Sequence, residues 1–229
     1  MSQPLLAFPC NGNAKEALDA LGDDFHCIGF IDDTPEKQQQ GCLGLPVYDR
    51  SALQRFGEAA VLAVPGGPES FRRRRQVIES LDVARERWAT IVHPRASVSR
   101  HSRLGRNVLL MAGVVITSNS VIGDHVCILP NTVVHHDSFV GAWTLVGSGV
   151  TVAGGVSIGD GCYVASGSSI KHGLQLGAGC LVGLGSNVLR DVVPNAVVFG
   201  NPARDRGADG LAATHEVTPG VGGPRGPKR

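Results

Sequence analysis

Stepping through the chain six residues at a time from Val98 meets an aliphatic side chain at every stop. Val98, Leu104, Leu110, Ile116 and Ile122 begin the series and Leu176, Val182 and Val188 close it, sixteen consecutive positions that are all Val, Ile or Leu. In a chain that is 42% hydrophobic, even a looser apolar match would arise by chance at a fixed start with a probability on the order of 10⁻⁶. Two residues before each aliphatic stands a mostly small or β-branched residue, among them Ala96, Ser102, Thr132, Ser138, Thr144, Cys162, Ser168 and Cys180. Glycine often follows the aliphatic, as at Gly105, Gly123, Gly141 and Gly147. A period of six fits neither a 3.6-residue helix nor a continuous half-buried strand. It fits short strands joined by turns, with the aliphatic pointing into a narrow core and glycine relieving crowding at the bend.

Three hexads make one triangular coil of 18 residues, and successive coils stack by parallel pairing about 4.8 Å apart. The repeat spans roughly five coils, from about Ala96 to Val188, and no coil buries its aliphatics alone. Cys162 and Cys180, one coil apart, read as stacked small fillers. The 31 glycines and 5% aromatic content suit a fold made of turns better than one made of helices, where each interior glycine costs about 1 kcal/mol.

The N-terminal part, residues 1–92, has a different grammar. Strand signals at 5–8, 26–31, 59–64 and 90–92 alternate with helical patterns at 13–21 and 69–88, which predicts a small parallel α/β domain of Rossmann-like type. The β-helix is expected over 93–204. A Gly- and Pro-rich tail without a function of its own is expected over 205–229. A net charge of +1 gives no electrostatic reason to expect nucleic acid or a membrane as partner. The six cysteines form no C-x-x-C pair, no run of about 18 apolar residues occurs, and the N-terminus lacks a signal-peptide pattern. A cytoplasmic, reduced protein is expected.

Two places could carry chemistry. In NTVVHHDSFVG, residues 131–141, the inward Val134 is followed by His135, His136 and Asp137 on a turn. A neutral imidazole beside a carboxylate suits proton abstraction near pH 7; three polar residues on an exposed corner are the alternative. Within one chain the histidines do not assemble a metal site, because His136 and His172, 36 residues apart, would stand two coils and about 9.6 Å apart; a metal bridged between subunits is the alternative. No metal is expected. The second place is the strand–turn–helix FPCNGNAKEAL, an anion cradle in outline, with Asp32 and Asp33 ending the next strand where an acid could hold a ribose hydroxyl. Its glycine fingerprint is reduced to Gly12, and a purely structural βα turn is the alternative. The arginines at 72–75 read as a solvated helix face.

The chain resembles the bacterial hexapeptide-repeat acyltransferases that acetylate nucleotide-linked amino sugars or sialic acids. The resemblance rests on Val92-His93-Pro94 with Ala96, the unbroken hexads, VVHHDSFVG, the exit VVFGNPAR (197–204), and Asp32-Asp33 after GFI. It implies an α/β Rossmann-like domain followed by an all-β left-handed parallel β-helix, assembled as a homotrimer. It implies His136 as general base and Asp137 as its orienting partner. It implies acetyl-CoA as cosubstrate, lying between adjacent β-helices against Gly154, Ser166 and Leu184, with a backbone N–H near Gly154 facing the thioester oxygen. Gly12, Asn13, Asp32, Asp33 and Gly66 of the PGGP turn would bind the acceptor sugar. The family's N-terminal loop usually has several glycines and a histidine; here Asn13 stands for the histidine and Pro9 for a glycine. An N-acetyltransferase on a nucleotide-linked amino sugar is expected. A sugar or sialic-acid O-acetyltransferase, and a non-catalytic or metal-binding solenoid, are the alternatives.

Overall fold

A computed structural model describes residues 2–207, so most of the expected tail lies outside the described residues. The N-terminal unit is built on β1 (Gln3–Phe8), with β2 (Phe25–Ile31) on one side and β3 (Val47–Tyr48) beyond it. On the other side of β1 lies β4 (Ala60–Ala63), so that the order is β3-β2-β1-β4 and every pairing is parallel. Leu5, Leu6, Val61 and Leu62 have no exposed surface, as expected where a parallel sheet is covered on both faces and its strands read as continuous apolar runs.

The helices around this sheet are short. The pattern at 13–21 becomes α1 (Gly12–Glu16) followed by a 3₁₀ turn over Ala17–Ala20. Asn11 caps α1 by accepting the Ala14 N–H at 2.9 Å. Between β2 and β4 lie α2 (Pro35–Gln40) and α3 (Ala52–Arg55), neither of which the hydrophobic pattern announces. The single helix expected over 69–88 is a correction. It breaks into a 3₁₀ turn at Phe71–Arg73, α4 (Arg74–Glu79) and a second turn at Arg85–Arg87, because the chain turns at Asp82 with φ +48°.

The six-residue period becomes two-residue strands in three parallel sheets, each strand pairing with the one 18 residues on, as in Val133–Val134 with Thr151–Val152. The second residue of each pair points inward, and Val134, Val152, Ile170 and Val188 are all at most 2% exposed. These sheets and this step fit a left-handed β-helix. It begins earlier than the hexads from Val98 suggest: β5 (Ile91–Val92) pairs with Leu109–Leu110 and not with the N-terminal sheet. It ends in a shorter coil, with Val182 beside Val198, only 16 residues on, and closes with an antiparallel strand over Ala203–Asp205.

The small-residue register does more than fill space. Thr132 Oγ1 donates to the Gly147 carbonyl at 2.7 Å and accepts the Val150 N–H at 3.1 Å; Ser138 and Thr144 bridge coils in the same way. Each hydroxyl satisfies backbone groups that the corners leave out of the ladder. Cys162 and Cys180 take the same register, their sulfurs 3.5 Å apart and fully buried.

Calling the sheets first, second and third in chain order from β5, the N-terminal unit sits on the first. Leu109, Cys127, Leu145, Leu181 and Val197 point outward from it, yet they are buried in one cluster with Leu5, Ala14, Leu62 and Phe71. Burial of each such leucine contributes roughly 1.5–3 kcal/mol, so the two units share a core. Among the described residues no helix is long and apolar enough to cross a membrane.

Candidate active site

The strand Val133–Val134 of the second sheet ends in an exposed corner of His135, His136 and Asp137. His136 Nδ1 lies 2.7 Å from Asp137 Oδ2. The other oxygen, Asp137 Oδ1, accepts from Asn119 Nδ2 at 2.6 Å; Asn119 occupies the equivalent place one coil earlier. These hydrogen bonds, from Asn119 first and His136 second, hold the Asp137 carboxyl below the usual carboxylate range. An ionised carboxylate at Nδ1 fixes the proton on that nitrogen and leaves the Nε2 lone pair free to act as a base. Asp137 adopts φ +56°, and its N–H donates to the Ser118 carbonyl at 3.0 Å, so the carboxylate is presented by a fixed turn.

Gly154 lies directly beneath the imidazole. A Cβ there would come within 2.7 Å of His136 Cε1 and Nε2, so the ring's position requires glycine. The next residue, Gly155, donates its N–H to the His136 carbonyl at 2.9 Å. The Gly154 N–H has no acceptor among the described residues, which leaves a donor next to the His136 imidazole. Further along the same corner come Lys171 and His172, then Arg190, all exposed and without an ion-pair partner among the described residues. At about 4.8 Å per coil they begin roughly 10 Å from His136. Lys171 and Arg190 were not among the sequence candidates; counting on by eighteen from His136 and its neighbours would have found them.

The residues expected to bind an acceptor divide. Asn13 and Gly66 meet in one cleft, lined also by Gly67 and Pro68 and by Leu129, Leu145, Gly147 and Tyr163 of the β-helix. Gly66 has φ +109°, and a Cβ on it would lie 3.1 Å from Leu145 Cδ1. Gly12 is exposed at the start of α1, outside that lining. Asp32 is a correction. It is only 5% exposed, with Oδ2 accepting from Cys10 N–H at 3.0 Å and Lys37 Nζ at 2.7 Å, and Oδ1 accepting from Thr34 N–H at 3.1 Å. Burial alone would raise its pKa, but Lys37 and Thr34 outweigh burial and hold it low. Its carboxylate therefore ties the β1–α1 turn to α2 and is not presented to a ribose. Asp33 is exposed and shared with Arg50, whose Nε lies 2.9 Å from Oδ2.

Gly154 lies with His136 on the corner between the second and third sheets. Ser166 and Leu184 occupy the corner between the first and second, beside the Asn13–Gly66 cleft. One chain does not bring the two sets together. Ser166 Oγ accepts the Ser148 N–H at 3.0 Å, and Leu184 is 76% exposed. Among the described residues no three His, Cys, Asp or Glu side chains cluster as a metal site.

The family model for bacterial transferase hexapeptides (six repeats) matches residues 101–136. Among solved structures, PerB from Caulobacter crescentus, in complex with CoA and GDP-perosamine, is 29% identical. It aligns over 90% of this chain and 98% of its own, with a TM-score of 0.78. The acetyltransferase domain of PglB from Neisseria gonorrhoeae, in complex with acetyl coenzyme A, is 25% identical over 90% of this chain and 100% of its own, with a TM-score of 0.79. WeeI from Acinetobacter baumannii, 23% identical with a TM-score of 0.72 over 90% of this chain and 100% of its own, shares the fold. No curated protein sequence matches.

Proposed function

We propose that this chain, a hexapeptide-repeat protein similar to bacterial sugar N-acetyltransferases, transfers acetyl from acetyl-CoA directly to the amine of a nucleotide-linked amino sugar. The observation that carries this reading is the His136–Asp137 pair seated over Gly154, on a chain that superposes over nine-tenths of its length on an enzyme holding CoA and GDP-perosamine.

In the reaction, the acceptor nitrogen attacks the thioester carbonyl as His136 Nε2 takes a proton from it. The Gly154 N–H donates to the oxyanion that forms. Collapse of that intermediate breaks the carbon–sulfur bond, and the imidazolium returns its proton to the departing CoA sulfur. Asp137 stays ionised throughout and stabilises the imidazolium. The acceptor lies in the cleft of Asn13 and Gly66, with the N-terminal sheet serving as a Rossmann-like acceptor domain. The acetyl-CoA thioester lies near Gly154 and its arm runs past Ser166 and Leu184, while Lys171 and Arg190 meet its phosphates.

Because His136 and the acceptor cleft lie on different corners, the complete site joins one chain's His136 to its neighbour's cleft, in a homotrimer with three such sites. Release of CoA thiol with GDP-perosamine and related nucleotide amino sugars tests the reading. His136→Ala should lose about 10²- to 10⁴-fold in rate while remaining folded, and a rate near wild type would overturn the mechanism. A base-stable amide product is expected; a base-labile ester would assign the chain to sugar O-acetylation instead.

A further inference from the structure

The segment leading into Gly66 is held by a polar staple that core packing does not require. Asn107, with no exposed surface, stands on the corner between the third and first sheets. It pairs with Ala63 as a neighbouring strand would. Its Oδ1 accepts the Ala63 N–H at 2.7 Å, and its Nδ2 donates to the Ala63 carbonyl at 2.8 Å. The same Nδ2 lies 3.0 Å from His125 Nδ1, one coil further on. The His125 carbonyl accepts from Arg74 Nη2 at 2.7 Å, and Arg74 Nη1 donates to the Pro65 carbonyl. Asn11 Nδ2 completes the set by donating to the Val64 carbonyl at 3.0 Å. The three carbonyls immediately before Gly66 are thus each taken by a side-chain donor, and two of the three donors also contact His125.

Arg74 is the telling member, and it corrects the reading of residues 72–75 as a solvated face: Arg72, Arg73 and Arg75 are exposed, but Arg74 is buried. It is 1% exposed, its Nε has no hydrogen-bond partner, and among the described residues it makes no ion pair. A buried guanidinium without a counter-ion is an expensive way to fill space, and an aliphatic chain of like volume would pack at least as well. What the planar fork does, and an aliphatic chain does not, is hold two carbonyls from distant segments in fixed relation. Those carbonyls belong to the turn and to the β-helix. Arg74 Cβ and Cδ also lie within 4 Å of where a Gly66 Cβ would be, and Leu145 Cδ1 lies 3.1 Å from it. A side chain at position 66 would therefore press on Leu145 and meet Arg74, so only glycine seats the turn here.

Resting on the acetyltransfer reading above, we propose that Arg74, with Asn107 and His125, positions the acceptor. The staple sets the Gly66–Gly67 turn against Leu145 and Gly147, so that the cleft has the width the sugar nucleotide needs. The three residues touch neither acetyl-CoA nor the reacting atoms.

Wild type is assayed first against GDP-perosamine and a panel of UDP- and dTDP-linked 4-amino sugars, and the sugar it turns over becomes the probe. Arg74→Lys, Arg74→Met and Asn107→Ala are then compared by steady-state kinetics, each substrate varied with the other saturating. The acceptor KM should rise about tenfold in Arg74→Met, less in Arg74→Lys, with kcat and the acetyl-CoA KM within about twofold. An unchanged acceptor KM in a folded variant, equal rises in both KM values, or failure of all three variants to fold would each overturn the positioning role. If unmodified protein turns over no sugar in the panel, the acetyltransfer reading fails first and takes this proposal with it, a result distinct from any variant's behaviour.

Discussion

At the scale of single residues, the His136–Asp137 pair proposed as base and partner was legible because the two adjoin in sequence and follow an inward valine; the glycine under the imidazole was reached by counting one coil on. Gly154→Ala separates steric fit from chemistry. The added methyl would stand 2.7 Å from the His136 ring, a distance no relaxed contact tolerates, so either the imidazole swings away or the coil shifts. Since the glycine is half-exposed and has no left-handed φ, the backbone tolerates alanine and the ring yields. The rate should fall about 10²-fold or more from misplacement of the base, with the melting temperature nearly unchanged; wild-type turnover would show that the ring does not need this seat. Asp32 shows the opposite case. Its place at the end of β2 suggested a ligand, but Lys37, Thr34 and the Cys10 N–H claim its oxygens, and only the folded chain brings Cys10 there.

At the scale of elements, the hexads told their own fold because every inward residue repeats at a fixed step. The helices did not, since elements of four to six residues are too short to display a 3.6-residue period. The small-residue register was visible only as small, and its hydroxyl ladder depends on carbonyls fifteen residues on.

The corner of Asn107, His125 and Trp143 makes a prediction that belongs to this scale. His125 stacks on Trp143 at 5.8 Å and meets Trp88 edge-on at 5.2 Å, and burial pushes its pKa down to about 4 from 6.5, against a modest upward pull from Asp124, with Arg74 lowering it and Glu79 raising it. The unfolded chain binds a proton as pH falls through 6.5, whereas the native ring resists until about 4. The native advantage is therefore complete above about pH 6.5 and lost progressively between there and pH 4. Discounted for a ring that is partly solvated, the loss is on the order of 1–2 kcal/mol. That corresponds to a fall of about 2–8 °C in melting temperature. His125→Asn keeps a residue suited to φ +61° and should flatten this slope; equal slopes in the two proteins would place the proton elsewhere.

At the scale of the whole molecule, the decisive relation is between corners, and no stretch of sequence displays it. The N-terminal unit occupies the first sheet, which sets the Asn13–Gly66 cleft beside the Ser166 and Leu184 corner and leaves His136 one corner away. If each site joins one chain's His136 to the next chain's cleft, two inactive proteins can repair each other. His136→Ala removes the base and leaves the cleft intact. Gly66→Val disables the cleft, because φ +109° disfavours any side chain there and a Cβ would lie 3.1 Å from Leu145 Cδ1, and leaves His136 intact. Unfolded together, mixed in equal amounts and refolded, the chains assort at random around a threefold axis. A given site draws an intact base with a chance of one half and an intact cleft with a chance of one half. About a quarter of wild-type activity should therefore return, although each parent alone is inactive. Sites lying wholly within one chain would each keep a defect, and mixing would restore nothing. A quarter against zero is a difference that an ordinary thiol-release assay resolves, and it tests the shared site without any structure of the assembly.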